Sequence, residues 1–145
     1  MPVTGFSEIG DRLTEALVKG DFGLYQTVME LPLTVVPLGE APYVLADEPA
    51  LRRDFELYHN VLKLHGVTDI FREVRAVFDD DDDVHRILCR VHIMAHANRI
   101  AEPFLSEMRI RPRAGLWRII EIRSLAAHIG WTLGDNASAE NFLKR

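Results

Sequence analysis

The sequence predicts one α+β domain, in which a few N-terminal helices pack against a strongly curved, mostly antiparallel sheet. Two observations predict this fold class. Apolar residues recur at helical spacing through most of the chain up to His65, and beyond it they alternate with polar residues at a period of two. The chain has 145 residues, the usual length of a single domain that buries its apolar side chains around one core.

Two helices are predicted near the N-terminus. Five apolar residues share one face of the first helix, and they are Phe6, Ile9, Leu13, Ala16 and Leu17. Ser7 can cap the start of this helix, and Gly20 followed by Asp21 ends it. A short second helix is predicted from Phe22 to Met29, before Pro32 interrupts the pattern.

The longest predicted helix begins after Asp47, which is a suitable N-cap, and carries Glu48 and Pro49 in its first turn. Its apolar face continues until Gly66 through Leu51, Phe55, Tyr58, Leu62 and His65. This amphipathic stripe predicts that the helix covers one face of the sheet.

The remaining regular segments are predicted as strands. A small hairpin precedes the long helix, with strands at Leu31–Val36 and Tyr43–Leu45. Four further strands follow the helix, at Asp69–Phe78, Val84–Ala97, Phe104–Ile110 and Leu116–Leu125. Their connections are too short for parallel crossovers, so these four strands are predicted to form an antiparallel meander.

Composition excludes several classes of function. The formal net charge of −5 leaves no basic excess for a nucleic-acid backbone, and we expect no nucleic-acid partner. The sequence contains no apolar run of membrane-spanning length and no secretory signal pattern, so we expect no membrane association. Its one cysteine, Cys89, cannot form an intramolecular disulfide. We therefore expect a cytoplasmic location.

The sequence predicts neither a metal site nor a cofactor. His92 and His96 lie on one face of a predicted strand, but four extended residues separate them by roughly 13 Å, too far to share one metal ion. The acidic run from Asp79 to Asp83 lacks the glycine and the closing glutamate of a calcium loop. We interpret it as a solvated hairpin tip.

Five residues are candidates for a ligand pocket against the inner face of the sheet. Tyr58 and Phe55 belong to the apolar stripe of the long helix, Arg72 is in phase with inward apolar residues of its strand, and Ser106 and Met108 share the inner face of theirs. Two interpretations of Arg72 stay open. It either points inward and holds an acidic ligand, or reaches solvent or a surface acid such as Asp69.

The order of elements, the Gly20-Asp21 break and the segment Gly115-Leu116-Trp117-Arg118-Ile119 together resemble the NTF2-like superfamily, and most closely its small SnoaL-like proteins. The resemblance covers roughly residues 6 to 125. It implies a cone-shaped, cystatin-like α+β roll, with a pocket between the sheet and the long helix and a homodimer formed through the outer sheet face.

The best-understood enzyme of that superfamily, the ketosteroid isomerase, uses an aspartate base with a tyrosine and a protonated aspartic acid. Aligning its motifs with this chain places the base at Pro37, the tyrosine at Leu13 and the acid at Ser106. Proline and leucine cannot do that chemistry, and serine is only a neutral donor. The related epoxide hydrolases need an Arg-x-Asp on a strand, and no predicted strand here contains one.

The leading hypothesis is therefore a small-molecule-binding protein that holds an apolar or weakly acidic molecule and works as a homodimer. Two alternatives stay open: an isomerase, cyclase or epoxide hydrolase, which requires a titratable side chain inside the cone, and a noncatalytic protein-interaction module. Residues 1–125 are predicted to form the domain. Residues 126–145 are predicted to be an extension that docks on the domain or on a dimer partner.

Overall fold

A computed structural model describes residues 2–37, 39–80 and 83–126 of the chain. The predicted tail lies outside these residues, apart from Ala126, the last residue of the final strand. The described elements are, in chain order, α1 (Pro2–Lys19), α2 (Phe22–Val28), β1 (Met29–Val36), β2 (Tyr43–Leu45), α3 (Glu48–Leu64), β3 (Asp69–Asp79), β4 (His85–Ala95), β5 (Asn98–Arg99), β6 (Phe104–Arg113) and β7 (Leu116–Ala126).

The α+β class and the four-stranded meander are confirmed. The described strands form one sheet in the order β2-β1-β7-β6-β4-β3, and the two-residue β5 pairs with β4. The strands β3, β4, β6 and β7 pair antiparallel, as their short connections require. Register shifts interrupt β3 after Val74 and β6 near Leu105 and Arg109. Such irregularities bend the strands, and here they give the sheet its curvature.

Two pairings were not predicted: β5 pairs with β4 within a segment that the sequence predicts to be a turn, and β1 pairs with β7. The first strand, β1, lies parallel to β7, with Met29 opposite Ile119 and Val35 opposite Ile122. Parallel neighbours need a long crossover, and here the crossover contains β2, α3 and the first strands of the meander. The parallel pairing therefore joins the two halves of the chain into a single sheet.

Side-chain caps fix two of the helix starts. The Asp47 carboxylate accepts a hydrogen bond of 3.0 Å from the backbone N–H of Ala50, and the Asp21 carboxylate accepts one of 3.0 Å from that of Leu24. The predicted start of α1 at Ser7 is wrong, because the helix already begins at Pro2. Proline is tolerated in a first helical turn, where its missing N–H would have no partner.

The core lies between the helices and the inner face of the sheet. The apolar stripe of α1 is buried there, together with Ile87, Ile93, Ile110 and Ile119 from the strands. The outer face carries ion pairs, including Arg86 to Glu107 at 2.9 Å. No helix of residues 2–37, 39–80 and 83–126 is both long and apolar enough to cross a bilayer.

Candidate functional site

A cavity of about 120 Å³ lies between the inner face of the sheet and the helices. Its wall is mostly apolar, with polar side chains from α2, β2, α3, β3, β6 and β7. The lining residues are Leu13, Leu17, Tyr25, Met29, Leu33, Val35, Pro37, Tyr43, Asp54, Tyr58, Arg72, Val91, Phe104, Ser106, Met108, Ile122 and Ser124. An apolar cavity with a few polar groups is the usual composition of a small-molecule site.

Three hydroxyl groups on α2, α3 and β6 line this wall and have no hydrogen-bond partner among the described residues. They belong to Tyr25, Tyr58 and Ser106, and the first and last of these side chains are each only 5% exposed. Burial raises the pKa of both tyrosines, so they are neutral hydrogen-bond donors at physiological pH. Because buried hydroxyls are normally hydrogen-bonded, these three groups are available to a bound molecule or to water.

Arg72 points inward from β3 and ends against α1. Its Nη1 donates hydrogen bonds to the Gly10 carbonyl oxygen at 3.2 Å and to Thr14 Oγ1 at 2.6 Å. Asp69 is close enough to interact electrostatically with Arg72 but forms no ion pair with it, and its carboxylate accepts a hydrogen bond from the N–H of Ile70 at 2.9 Å. Arg72 therefore lines the cavity, and it makes no ion pair with a described residue.

Asp54 on α3 is a cavity carboxyl that the sequence analysis did not identify. The hydroxyl of Tyr43 donates to its Oδ1 at 3.4 Å, which is long for an O–H···O bond. Burial raises the pKa of this carboxyl, and the bond from Tyr43 opposes that rise only in part. The helical spacing contains the relevant signal: Asp54 lies four residues before Tyr58 and three after Leu51, on the same face.

The other predicted pocket residues divide into two groups. Met108 lines the cavity beside Ser106, whereas Phe55 packs behind the wall, with its ring 4.7 Å from that of Tyr25 and 5.5 Å from that of Phe22. Phe55 thus supports a lining residue and is not itself among the lining residues. Four of the five candidates lie around one cavity.

The nearby His59 is also outside the cavity wall. Its Nδ1 donates a 2.6 Å hydrogen bond to the carbonyl of Leu17, and its ring stacks on Phe55. The hydrogen bond connects α3 to the C-terminal end of α1, and the stacking lies within α3. The described residues contain no group of three or more His, Cys, Asp or Glu side chains placed to hold a metal ion.

Solved structures with this arrangement of helices and sheet come from proteins of low sequence similarity. An NTF2-like protein of unknown function from Shewanella oneidensis MR-1 is 11% identical, over 86% of this chain and 98% of that one, at a TM-score of 0.60. A protein of unknown function with a cystatin-like fold from Nostoc punctiforme is 13% identical, over 83% of this chain and 87% of that one, at 0.61. The fold is NTF2-like.

A candidate ketosteroid isomerase from Shewanella frigidimarina is a further structural match, 14% identical over 81% of this chain and 92% of that one, at a TM-score of 0.60. No protein-family model and no curated protein matches the sequence. Such low identities show the fold alone. The predicted NTF2-like, cystatin-like fold is therefore confirmed, and the SnoaL-like subfamily stays a prediction.

The three positions that the family resemblance assigns to isomerase chemistry lie close together in this NTF2-like roll. Leu13, Pro37 and Ser106 all line the cavity. These three residues are far apart in the sequence, and the fold brings them to the wall of one cavity. Of the three side chains, only Ser106 can form a hydrogen bond, and none is acidic.

The raised pKa of Asp54 leads to a prediction about stability. The folded state binds this proton more tightly than the unfolded state, so the stabilising contribution is present below the unfolded pKa and is lost as the pH rises through the folded pKa. We expect Asp54→Asn, which keeps the size and an acceptor for Tyr43, to raise the urea midpoint at neutral pH and to flatten its pH dependence.

Urea denaturation of the wild type and the variant from about pH 4 to about pH 8 measures this effect. Glu56→Gln is the matched control, since it removes a carboxylate from an exposed position of the same helix. A loss of stability in Asp54→Asn at neutral pH, with an unchanged slope against pH, would contradict the prediction.

Proposed function

We propose that this protein binds a small, apolar or weakly acidic molecule in the cavity of its NTF2-like roll. The observation that carries the proposal is a set of polar groups that keep unused hydrogen-bond donors in an otherwise apolar wall. The hydroxyls of Tyr25, Tyr58 and Ser106 and the guanidinium of Arg72 can all donate hydrogen bonds to one ligand. Their desolvation is unfavourable unless a bound molecule or water accepts those bonds.

The cavity volume limits the size of the ligand. A cavity of about 150 Å³ in another protein holds benzene, and the cavity here is about 120 Å³. A molecule with a single ring or a short alkyl chain therefore suits this space better than a multi-ring compound. A carboxylate is the preferred polar group, because Arg72 forms no direct ion pair with a described residue and an anionic ligand would stabilise its charge.

The test compares an acid with its neutral analogue. Phenylpropanoate and phenylpropanamide have nearly the same shape, and isothermal titration measures both affinities. We expect the wild type to bind the carboxylate about tenfold more tightly, the factor that a charge-assisted hydrogen bond typically contributes. We expect Arg72→Ala to lose this preference.

Arg72 also contacts α1, so a second variant separates binding from folding. Arg72→Met keeps much of the length and apolar volume of the side chain but cannot pair with a carboxylate. We expect it to bind the amide with unchanged affinity and the acid no better than the amide. An equal preference for the acid in wild type and Arg72→Met would remove the role proposed for Arg72.

Catalysis is the second candidate function, and Asp54 is the observation that favours it. An isomerase, cyclase or epoxide hydrolase requires a titratable side chain inside the cone, and the cavity contains this carboxyl. A candidate ketosteroid isomerase is also among the structural neighbours. Against this candidate, Leu13 and Pro37 occupy the positions at which the isomerase would place its tyrosine and its base. Ligand binding is therefore the better-supported function.

The proposal includes a cytoplasmic homodimer formed through the outer sheet face. Phe71 on β3 is 55% exposed there, and its ring lies 5.7 Å from that of His92. His92 in turn lies 3.5 Å from the Glu73 carboxylate. Such a mixture of aromatic and paired polar groups suits a protein interface. The alternative of a noncatalytic interaction module has less support, because it leaves the cavity without a role.

A further inference from the structure

Asp54 is a partly buried carboxylate with few partners. Its one hydrogen bond among the described residues is the long contact of 3.4 Å from Tyr43, and it forms no ion pair with a described cation. Buried charges are normally paired or hydrogen-bonded, because their desolvation is otherwise unfavourable. Asp54 lines the cavity, so a ligand can supply the missing donor.

Arg72 and the Asp54–Tyr43 pair belong to opposite sides of the roll. Tyr43 is on β2 and Arg72 is on β3, and these two strands are the opposite edges of the sheet. Arg72 is held against α1 by Gly10 and Thr14, whereas Asp54 is on α3. The curvature of the sheet brings both edges to the same cavity.

The apolar wall and the hydroxyls lie between these two polar ends. Tyr25 and Tyr58 interact electrostatically with both Asp54 and Arg72. Asp54 accepts a hydrogen bond from Tyr43, whereas Arg72 donates to Gly10 and Thr14. The two polar ends of the cavity therefore have different protein partners.

We propose that Asp54 and Tyr43 form a second polar subsite, which accepts a hydrogen bond from a hydroxyl group at the end of the ligand opposite its carboxylate. The ligand class is then a small hydroxy acid with an apolar middle, such as a hydroxyphenyl alkanoic acid. This inference rests on the proposed function, since it assumes that Arg72 holds the acidic end. It adds a requirement for a donor at the second end.

The experiment uses para-hydroxyphenyl alkanoic acids with one, two or three methylene groups between the ring and the carboxylate. Each acid is compared with its para-methoxy counterpart, which keeps the oxygen but cannot donate a hydrogen bond. The length series finds the spacing that spans the two subsites. In the wild type, we expect the best hydroxy acid to bind about tenfold more tightly than its methoxy partner.

Two variants assign this preference to Asp54. Asp54→Leu keeps the branched shape of the side chain and favours a helix but cannot accept a hydrogen bond, so we expect the hydroxy and methoxy acids to bind it equally. Asp54→Asn keeps one acceptor oxygen and should retain part of the preference. Glu56→Gln changes the charge of the same helix at an exposed position and should retain all of it.

The outcomes separate the inference from the function on which it rests. If the methoxy and hydroxy acids bind the wild type equally well at every length, while Arg72→Met still weakens both, the second subsite is wrong and the proposed function stands. The second subsite is equally wrong if Asp54→Leu keeps the hydroxyl preference. If no acid of the series binds the wild type at millimolar concentration, the proposed function itself fails.

Discussion

Phe55→Ala is expected to lower the free energy of unfolding by about 3–5 kcal/mol, the usual cost of deleting a fully buried aromatic ring. Phe55 is only 2% exposed, and its ring contacts Phe22, Tyr25 and His59. The lost ring leaves a space beside Tyr25, which lines the cavity. Because a domain of this size is stabilised by only about 5–15 kcal/mol, the variant loses a large fraction of its stability.

Urea denaturation of both proteins measures this loss. Leu57→Ala is the matched control, since it truncates an apolar side chain of the same helix that is 54% exposed. We expect a change within about 0.5 kcal/mol for this control, as for most surface substitutions. If the two alanine variants lose equal stability, then Phe55 does not support the wall in the manner described.

Gly20→Ala is the second substitution with a large expected effect, about 2–5 kcal/mol of destabilisation. Gly20 has φ of +76°, where an L side chain is disfavoured by about 1–2 kcal/mol. A β-carbon there would also lie 2.7 Å from His59 Nε2. The hydrogen bond to Leu17 and the stacking on Phe55 hold that ring in place, so it cannot move aside without losing both contacts.

Gly66→Ala separates the two contributions. Gly66 has a similar φ of +68°, but no atom lies within 4 Å of the position of an added β-carbon. We expect this control to lose only the backbone component, about 1–2 kcal/mol. In a double-mutant cycle, Gly20→Ala should cost no more than Gly66→Ala once His59→Ala has removed the ring. An unchanged cost in that background would mean that His59 is not the obstacle.

Much of the fold could be predicted because local pattern and global structure agree. The period of two after residue 66 and the short turns predict the meander, and the Asp47 cap predicts the start of α3. The parallel pairing of β1 with β7 could not be predicted in this way. It depends on how the sheet curves and where the long crossover returns, and neither has a local sequence pattern.

In the candidate site too, local sequence patterns predict which side chains point inward, but they do not predict contacts between residues of different elements. Strand alternation and the helical stripe identify inward positions, and they correctly predict four lining residues: Tyr58, Arg72, Ser106 and Met108. The apolar pattern does not identify Asp54, because a charged residue on an apolar helical face interrupts the pattern. Its hydrogen bond from Tyr43 connects α3 with β2, and only the tertiary structure brings these two residues together at the cavity.

The parallel contact between β1 and β7 also affects how the chain is made. The paired residues Met29 and Ile119 are about 90 residues apart, so at ordinary rates of translation roughly 5–20 s pass between their synthesis. Throughout that interval, the hydrogen-bonding groups of β1 that will face β7 have no strand beside them. An open strand edge is a template for pairing with another chain. The nascent protein therefore has an open strand edge, and with it a risk of aggregation, until β7 emerges from the ribosome.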